Sequence, residues 1–95
     1  MSLKPTELEK ILKMVVDLGV VGPASLDDMK QEYGISTATA NRWLKEARHL
    51  GVRIACDRSL DGPPQYVVVN WDQIGPKAQK WLQLEEQQRQ LLEEA

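Results

Sequence analysis

One stretch in the first half of the chain, residues 27–45, constrains the fold more than any other; it reads DDMKQEYGISTATANRWLK. Two short amphipathic segments meet there at Gly34, and glycine permits the positive φ with which a helix commonly ends. Ser36 follows two residues later and is placed to cap the second segment by accepting a backbone hydrogen bond. The stretch therefore predicts two short helices joined by a tight turn.

This spacing fits a helix-turn-helix in which Gly34 is the glycine of the turn. The five positions that such a motif buries are all apolar or small: Met29, Tyr33, Ile35, Ala40 and Trp43. Lys30 departs from the pattern, because a small residue usually stands there, so its stem must extend outward. The outward positions are Ser36, Thr37, Ala38, Asn41, Arg42 and Lys45. Side chains of this kind suit phosphates and base edges, although an ordinary pair of helices joined by a glycine is the alternative.

Length and composition exclude several classes of protein. The chain has 95 residues, which is enough for one small domain with a modest core. The single cysteine, Cys56, excludes a disulfide framework and a cysteine-based zinc site, and the single histidine, His49, disfavours a metal centre or a catalytic triad. No nucleophile, base and oxyanion donor can be assembled, so we expect neither an enzyme nor a cofactor nor a small-molecule ligand. No signal peptide or membrane span is recognisable, which predicts a cytoplasmic protein.

The charge is unevenly distributed. The net charge is −2, whereas a nucleic-acid-binding domain usually has a basic footprint. Between residues 30 and 58, however, six basic residues stand against three acidic ones, for a local charge of +3. The basic residues are Lys30, Arg42, Lys45, Arg48, Arg53 and Arg58. A locally basic surface on an acidic chain is compatible with specific binding and weak non-specific association.

The rest of the first half predicts a first helix, the start of the second helix and the end of the third. Pro5 suits a first helical position, and an apolar stripe continues to Gly19, with Lys10, Lys13 and Asp17 facing water. The stripe consists of Leu8, Ile11, Leu12, Val15 and Leu18. A short link follows, with a fragment of strand at Val20 and Val21 as one option, and Ser25 with Asp28 can cap the second helix. The third helix is predicted from Thr37 to about Leu50, where Gly51 ends it.

Two β-prone runs follow the third helix. In the first, Val52, Ile54 and Cys56 alternate with Arg53 and Ala55; the second reads QYVVVNW. The loop between them contains Pro63 and Pro64, which cannot donate ladder hydrogen bonds. A β-hairpin directly after a helix-turn-helix is the order of a winged helix. We therefore predict a mainly α fold with a small β-hairpin (α+β), built from a three-helix core, a wing and a C-terminal helix.

The run GISTATANRWLKEARHLGVRIACDRSLDGPPQYVV resembles the winged helix-turn-helix of the biotin repressor and deoxyribose-operon repressor class. It shares a Gly-Ile-Ser turn, a helix closing in a Leu-Gly-Val step and a wing that ends in an apolar strand. The resemblance implies sequence-specific binding of double-stranded DNA through Ser36, Thr37, Thr39, Asn41, Arg42 and Lys45, and through Arg58 in the wing. The wing departs from the family, because Asp61 precedes Gly62 where a basic residue often stands. Neither a ligase domain nor a sugar-phosphate sensor domain is expected.

The candidate contacts differ in chemistry. Arg42 can pair bidentately with guanine and Asn41 with adenine. Lys45 and Arg48 lie a turn further on and suit phosphates, although Arg48 could equally pair with an acid on its own helix. Cys56 is expected to be a small buried hydrophobe, and His49 to lie at the end of its helix.

The C-terminal residues predict a final helix that begins near Pro76 and is capped by Asp72. We accordingly divide the chain into a DNA-binding domain, residues 1–74, and a C-terminal helix, residues 75–95. An apolar stripe on this helix comprises Trp81, Leu84, Gln88, Leu91 and Ala95, widened by Ala78, Leu82 and Leu92. Either Trp81 packs on the core and the remainder lies in solvent, or the helix pairs with a second copy, with Gln88 fixing the register.

Two functions are compatible with these observations. The leading hypothesis is a small DNA-binding transcriptional regulator that acts as a homodimer through its C-terminal helix. The alternative is a winged-helix module that binds another protein within a larger assembly.

Overall fold

The computed structural model of the chain describes residues 5–58 and 61–94. Within these ranges the elements are α1 (Glu7–Val20), α2 (Leu26–Tyr33), α3 (Thr37–His49), β1 (Ile54–Asp57), β2 (Gln65–Val68) and α4 (Trp71–Glu94). The predicted fold class, mainly α with a small antiparallel hairpin, is confirmed. Ser59 and Leu60 of the hairpin loop and Ala95 of the C-terminal stripe lie outside the described residues. Every described helix is too short or too polar to span a bilayer.

The helix starts follow from local capping. Thr6 caps α1 by accepting a hydrogen bond from the backbone N–H of Glu9 at 3.1 Å, so Pro5 precedes the cap and the prediction that it occupies the first helical position is wrong. At α2, the Ser25 side chain accepts from the Asp28 N–H, and the Asp28 carboxylate accepts from the Ser25 N–H, both at 3.1 Å. The predicted cap of α2 is therefore confirmed and is a reciprocal capping box.

The first helix does not stop at Gly19 as predicted, but continues to Val20. Gly19 serves packing instead, because a Cβ at that position would overlap the indole ring of Trp71. Gly75 contacts the same indole, with a Cβ there lying 2.9 Å from its Cε2. The close approach of α1 and α4 therefore depends on two glycines and one tryptophan.

The fourth helix begins at Trp71, not near Pro76, so Asp72 lies in its first turn instead of capping it. The carbonyl of Asn70 accepts hydrogen bonds from the N–H groups of Gln73 at 3.0 Å and Ile74 at 2.9 Å, which start the helix. Pro76 lies inside α4 and cannot donate to the carbonyl one turn earlier. Packing of the Trp71–Gly75 turn against α1 fixes this part of the helix in place of that bond.

The core lies between α1, α3, the hairpin and the first half of α4. Its buried side chains are Ile11, Met14, Val15, Leu18, Met29, Trp43, Leu44, Ala47, Val52, Ile54, Val68, Ile74 and Ala78. Ile54 and Val68 are paired across the hairpin and both face inward. Leu8, predicted on the apolar stripe of α1, is 41% exposed, and Cys56 is half-buried where full burial was predicted.

A further extended contact joins the link between α1 and α2 to the hairpin. Ala24 and Tyr66 exchange two backbone hydrogen bonds, of 3.1 Å and 2.7 Å. The strand fragment considered for Val20 and Val21 is therefore wrong in position, since Val20 is helical and the extended residue is Ala24.

Candidate nucleic-acid interface

The turn between α2 and α3 has the positive φ that was predicted for Gly34. Gly34 adopts the left-handed conformation, with φ 62° and ψ 41°, and the N–H groups of Gly34 and Ile35 both bond the Lys30 carbonyl. Ser36 then caps α3, because its Oγ accepts from the Thr39 N–H at 3.2 Å and lies 3.1 Å from Thr39 Oγ1. Ser36 and Thr39 therefore build the start of α3, in addition to any contact that they make with a ligand.

The buried side of α3 fixes which side chains point outward. Ala40, Trp43, Leu44 and Ala47 are buried, and the Trp43 ring lies against Tyr33 with centroids 5.8 Å apart. All five predicted inward positions contact the core: Met29, Ala40 and Trp43 are buried, and Tyr33 and Ile35 are half-buried against it. The predicted orientation of α3 is confirmed.

A hydrogen bond from Tyr33 locks α2 onto α1. The Tyr33 hydroxyl donates to Asp17 Oδ2 at 2.6 Å. Burial, followed by this hydrogen bond, raises the pKa of Tyr33, so the phenol remains the donor across the ordinary pH range. Asp17 was predicted to face water; it is instead half-buried as the acceptor of this bond.

Some side chains on the exposed face of α3 have no partner within the described residues, and others are held by a hydrogen bond or an ion pair. Thr37, Asn41 and Lys45 are exposed and make no side-chain hydrogen bond or ion pair within the described residues. Ala38 lies on the same face and leaves space beside them. These four residues form a surface onto which a ligand can approach without displacing a contact of the protein.

Arg42 is engaged. Its Nη2 lies 3.0 Å from Oε1 of Glu7, in the first turn of α1, and the two side chains are 54% and 50% exposed. An ion pair this exposed contributes about 0.2–1 kcal/mol. Arg42 therefore lies on the predicted face, but it must exchange a carboxylate for any new partner.

The two remaining basic candidates lie toward the hairpin. Arg48 Nη2 donates to the carbonyl of Ile54 at 3.3 Å, so Arg48 links α3 to β1 and does not pair with an acid on its own helix. Arg58 is exposed directly after β1, and Arg53 is exposed just before it. Both ends of β1 therefore expose a cation.

Asn70 is a structural residue that sequence reasoning missed. Its Oδ1 accepts from the Arg53 N–H at 2.9 Å, and its Nδ2 donates to the Gly51 carbonyl at 3.1 Å. The side chain thereby ties the end of α3 to the base of the hairpin, while its backbone carbonyl starts α4. The sequence carries a signal for this position, because asparagine is common at the residue that caps the start of a helix.

The electrostatics of α3 differ from those of the two preceding helices. The first turns of α1 and α2 each carry two acids, whereas the first turn of α3 carries none. Its N–H groups are therefore not offset by a neighbouring acid of the first turn. Arg48 and His49 lie in the last turn, as predicted for His49, where cations favour the helix dipole. Glu46 is the one acid on α3.

Seven of the predicted site residues belong to α3 and its cap, and all but half-buried Thr39 are exposed: Ser36, Thr37, Thr39, Asn41, Arg42, Lys45 and Arg48. Arg58 is exposed directly after β1. Within the described residues, no group of three or more His, Cys, Asp and Glu side chains could hold a metal ion. Comparison with protein-family models, with curated proteins and with solved structures gives no match.

Proposed function

We propose that this protein binds double-stranded DNA sequence-specifically through α3 and the hairpin, as a small transcriptional regulator acting as a homodimer. The observation that carries the proposal is the two-sided character of α3. One side is anchored by buried Ala40 and Trp43, while the opposite side exposes Asn41 and Lys45 without partners in the described part of the chain. A helix presented in this way fits the width of the major groove of B-DNA.

The side chains divide into two roles by their chemistry. Asn41 and Arg42 can each make two hydrogen bonds to one base, Asn41 to adenine and Arg42 to guanine. Lys45 and Arg48 supply positive charge for phosphates, and Ser36, Thr37 and Thr39 supply hydroxyl groups at the start of α3, whose first turn carries no acid. Arg58 on the hairpin is placed for the flanking backbone. The resemblance to the biotin repressor and deoxyribose-operon repressor class supports the same division.

The first test is selection of bound sequences from random duplex DNA, followed by titration of the selected duplex at several salt concentrations. Counterion release makes log affinity fall linearly with log salt, with a slope that counts the phosphates neutralised. Lys45→Ala should reduce that slope by about one and weaken all sequences alike. Asn41→Ala should instead cost about 1–3 kcal/mol on the selected duplex and relax the preference at one base pair.

A matched control is available on α1. Lys13 is exposed, and Lys13→Ala changes the net charge by the same amount as Lys45→Ala. The proposal requires Lys13→Ala to leave the salt slope unchanged. Failure of selection to enrich any sequence, or equal effects of the two lysine substitutions, would refute binding through α3.

A second function is favoured by a separate observation. Leu84, Leu91 and Leu92 on α4 are 47%, 66% and 67% exposed, which is a surface suited to protein contacts. A winged-helix module that binds another protein would use such leucines and would show a weak dependence of affinity on salt. The salt titration therefore separates the two functions.

A further inference from the structure

The second half of α4 holds an apolar surface away from the core. Trp81 is half-buried against the core, and beyond it Leu84, Leu91 and Leu92 are exposed by 47–67%. This part of the helix is nevertheless fixed in position, because Arg89 Nε lies 3.0 Å from Oε1 of Glu9 on α1. Glu9 is buried, so the ion pair is shielded from solvent on the α1 side. The leucines are thus presented on an anchored helix.

The exposed leucines follow the spacing of a coiled-coil seam. Trp81 and Gln88 occupy one of the two core positions of a heptad (a), and Leu84 and Leu91 occupy the other (d). Lys80 stands immediately before Trp81 and Glu85 immediately after Leu84. These are the flanking positions, g and e, whose charges pair between helices in a two-stranded coiled coil.

We propose that two copies of this chain pair through α4 in parallel, with Leu84 and Leu91 in the seam and Lys80 of each copy opposite Glu85 of the other. The inference gives a surface and an orientation to the homodimer of the proposed function, but the pairing itself can be measured without DNA. We identify the partner as a second copy because each copy carries both the cation, Lys80, and the anion, Glu85, that such a pair needs.

Charge selects the orientation. In a parallel pair, position g of one helix faces position e of the other, so symmetry creates two Lys80–Glu85 pairs. In an antiparallel pair, g faces g and e faces e. Glu85 would then meet Glu85 or Leu92 and would have no cation opposite it. Only the parallel arrangement places a lysine opposite Glu85 of each copy.

The size of the seam sets the strength of the association. From Trp81 to Leu91 it is about 15 Å long, at 1.5 Å per residue. Two helices that touch over so short a seam bury less surface than the roughly 1,000 Å² of a stable interface. The free protein should therefore dimerise only weakly, in a concentration-dependent way. Two adjacent DNA half-sites would then raise the effective concentration of one copy for the other.

Disulfide capture is suited to a weak dimer. The sequence has a single cysteine, so the full chain is first made cysteine-free with Cys56→Ser. Leu91→Cys is then introduced and the protein is oxidised in a glutathione buffer. In the parallel pair, residue 91 of one copy meets residue 91 of the other within disulfide range. The matched control is Gln90→Cys, which is equally close to the end of α4, exposed, and on a different face.

The expected result is rapid formation of a covalent dimer by Leu91→Cys and little by Gln90→Cys. Adding Lys80→Glu should slow the reaction several-fold, and adding Glu85→Lys to that variant should restore it. Equal rates for Leu91→Cys and Gln90→Cys would overturn the proposal. So would a mixture of Leu84→Cys and Gln88→Cys chains that cross-links mainly between unlike chains, since an antiparallel pair places a d position opposite an a position. Because no DNA is present, failure here leaves DNA binding by α3 untouched, and loss of DNA binding leaves the cross-link untouched.

Discussion

The Glu7–Arg42 ion pair lies at the edge of the proposed DNA-binding face, and its removal gives a prediction that can be worked out from the structure. The atoms are 3.0 Å apart and both side chains are about half exposed, so the pair stabilises the free protein by about 0.2–1 kcal/mol. If Arg42 binds a base, that free energy is lost on binding. Glu7→Gln should therefore strengthen binding to the selected duplex by roughly 1.4- to 5-fold, since 1.4 kcal/mol corresponds to tenfold.

The assay is a fluorescence-anisotropy titration of the selected duplex with the parent and with Glu7→Gln, at one low salt concentration. Asp72→Asn is the control for net charge, because Asp72 is exposed on α4. In an Arg42→Ala background, Glu7→Gln should have no more effect than Asp72→Asn. If Glu7→Gln weakens binding in the parent, Glu7 holds Arg42 in its binding position and the reasoning is refuted.

Three further predictions concern stability, each measured by chemical denaturation. Gly19→Ala should destabilise the protein by about 1–3 kcal/mol, because the new methyl overlaps the ring of Trp71; a helix-propensity gain of about 1 kcal/mol would give the opposite sign. Trp43→Ala should lower the free energy of unfolding by about 3–5 kcal/mol, because it empties a buried site. Trp43→Phe should lower it less, because the indole N–H has no partner among the described residues and its removal leaves no group unpaired. A Trp43→Ala variant that melts like the parent would show that Trp43 is not buried. Arg89→Ala should cost about 3 kcal/mol by leaving buried Glu9 without its cation, and a loss below about 1 kcal/mol would contradict this account.

The parts of the fold that the sequence predicted are those fixed by residues close together in the chain. Gly34 and Ser36 define the turn and start of α3, and the Ser25–Asp28 capping box starts α2. Gly51, with φ 99°, follows the C-cap of α3 as predicted. Each of these depends on hydrogen bonds within a few residues, which is why a local pattern was sufficient.

The parts that were missed depend on contacts between distant residues. The Trp71 indole, in the first turn of α4, packs against Gly19 of α1, and neither residue signals the other in the sequence. The same holds for Glu9, which reads as an ordinary surface acid on α1 and is buried by Arg89 of α4. Because such pairs are made only when the helices pack, periodicity and propensity cannot predict them.

For the candidate site, the sequence predicted which side chains face outward but not what they contact. The exposure of Asn41 and Lys45 follows from the helical period, once Trp43 is placed inward. The partners of Arg42 and Arg48 do not, because Glu7 and the Ile54 carbonyl belong to other elements. Arginine side chains are long enough to reach several acceptors, and tertiary packing decides among them.

The start of α4 changes how the C-terminal helix relates to the proposed DNA-binding face. The sequence predicts a boundary after residue 74 and leaves open whether Trp81 of the C-terminal helix packs on the core. In the structure, one continuous helix contributes Ile74 and Ala78 to the core that also buries Trp43 of α3, and then carries Leu84 and Leu91 outward. No flexible linker separates the proposed dimer seam from the proposed DNA-binding helix. Two copies paired through α4 would therefore hold their two α3 helices at a fixed separation, so that the spacing of half-sites, as well as their sequence, would determine where the dimer binds.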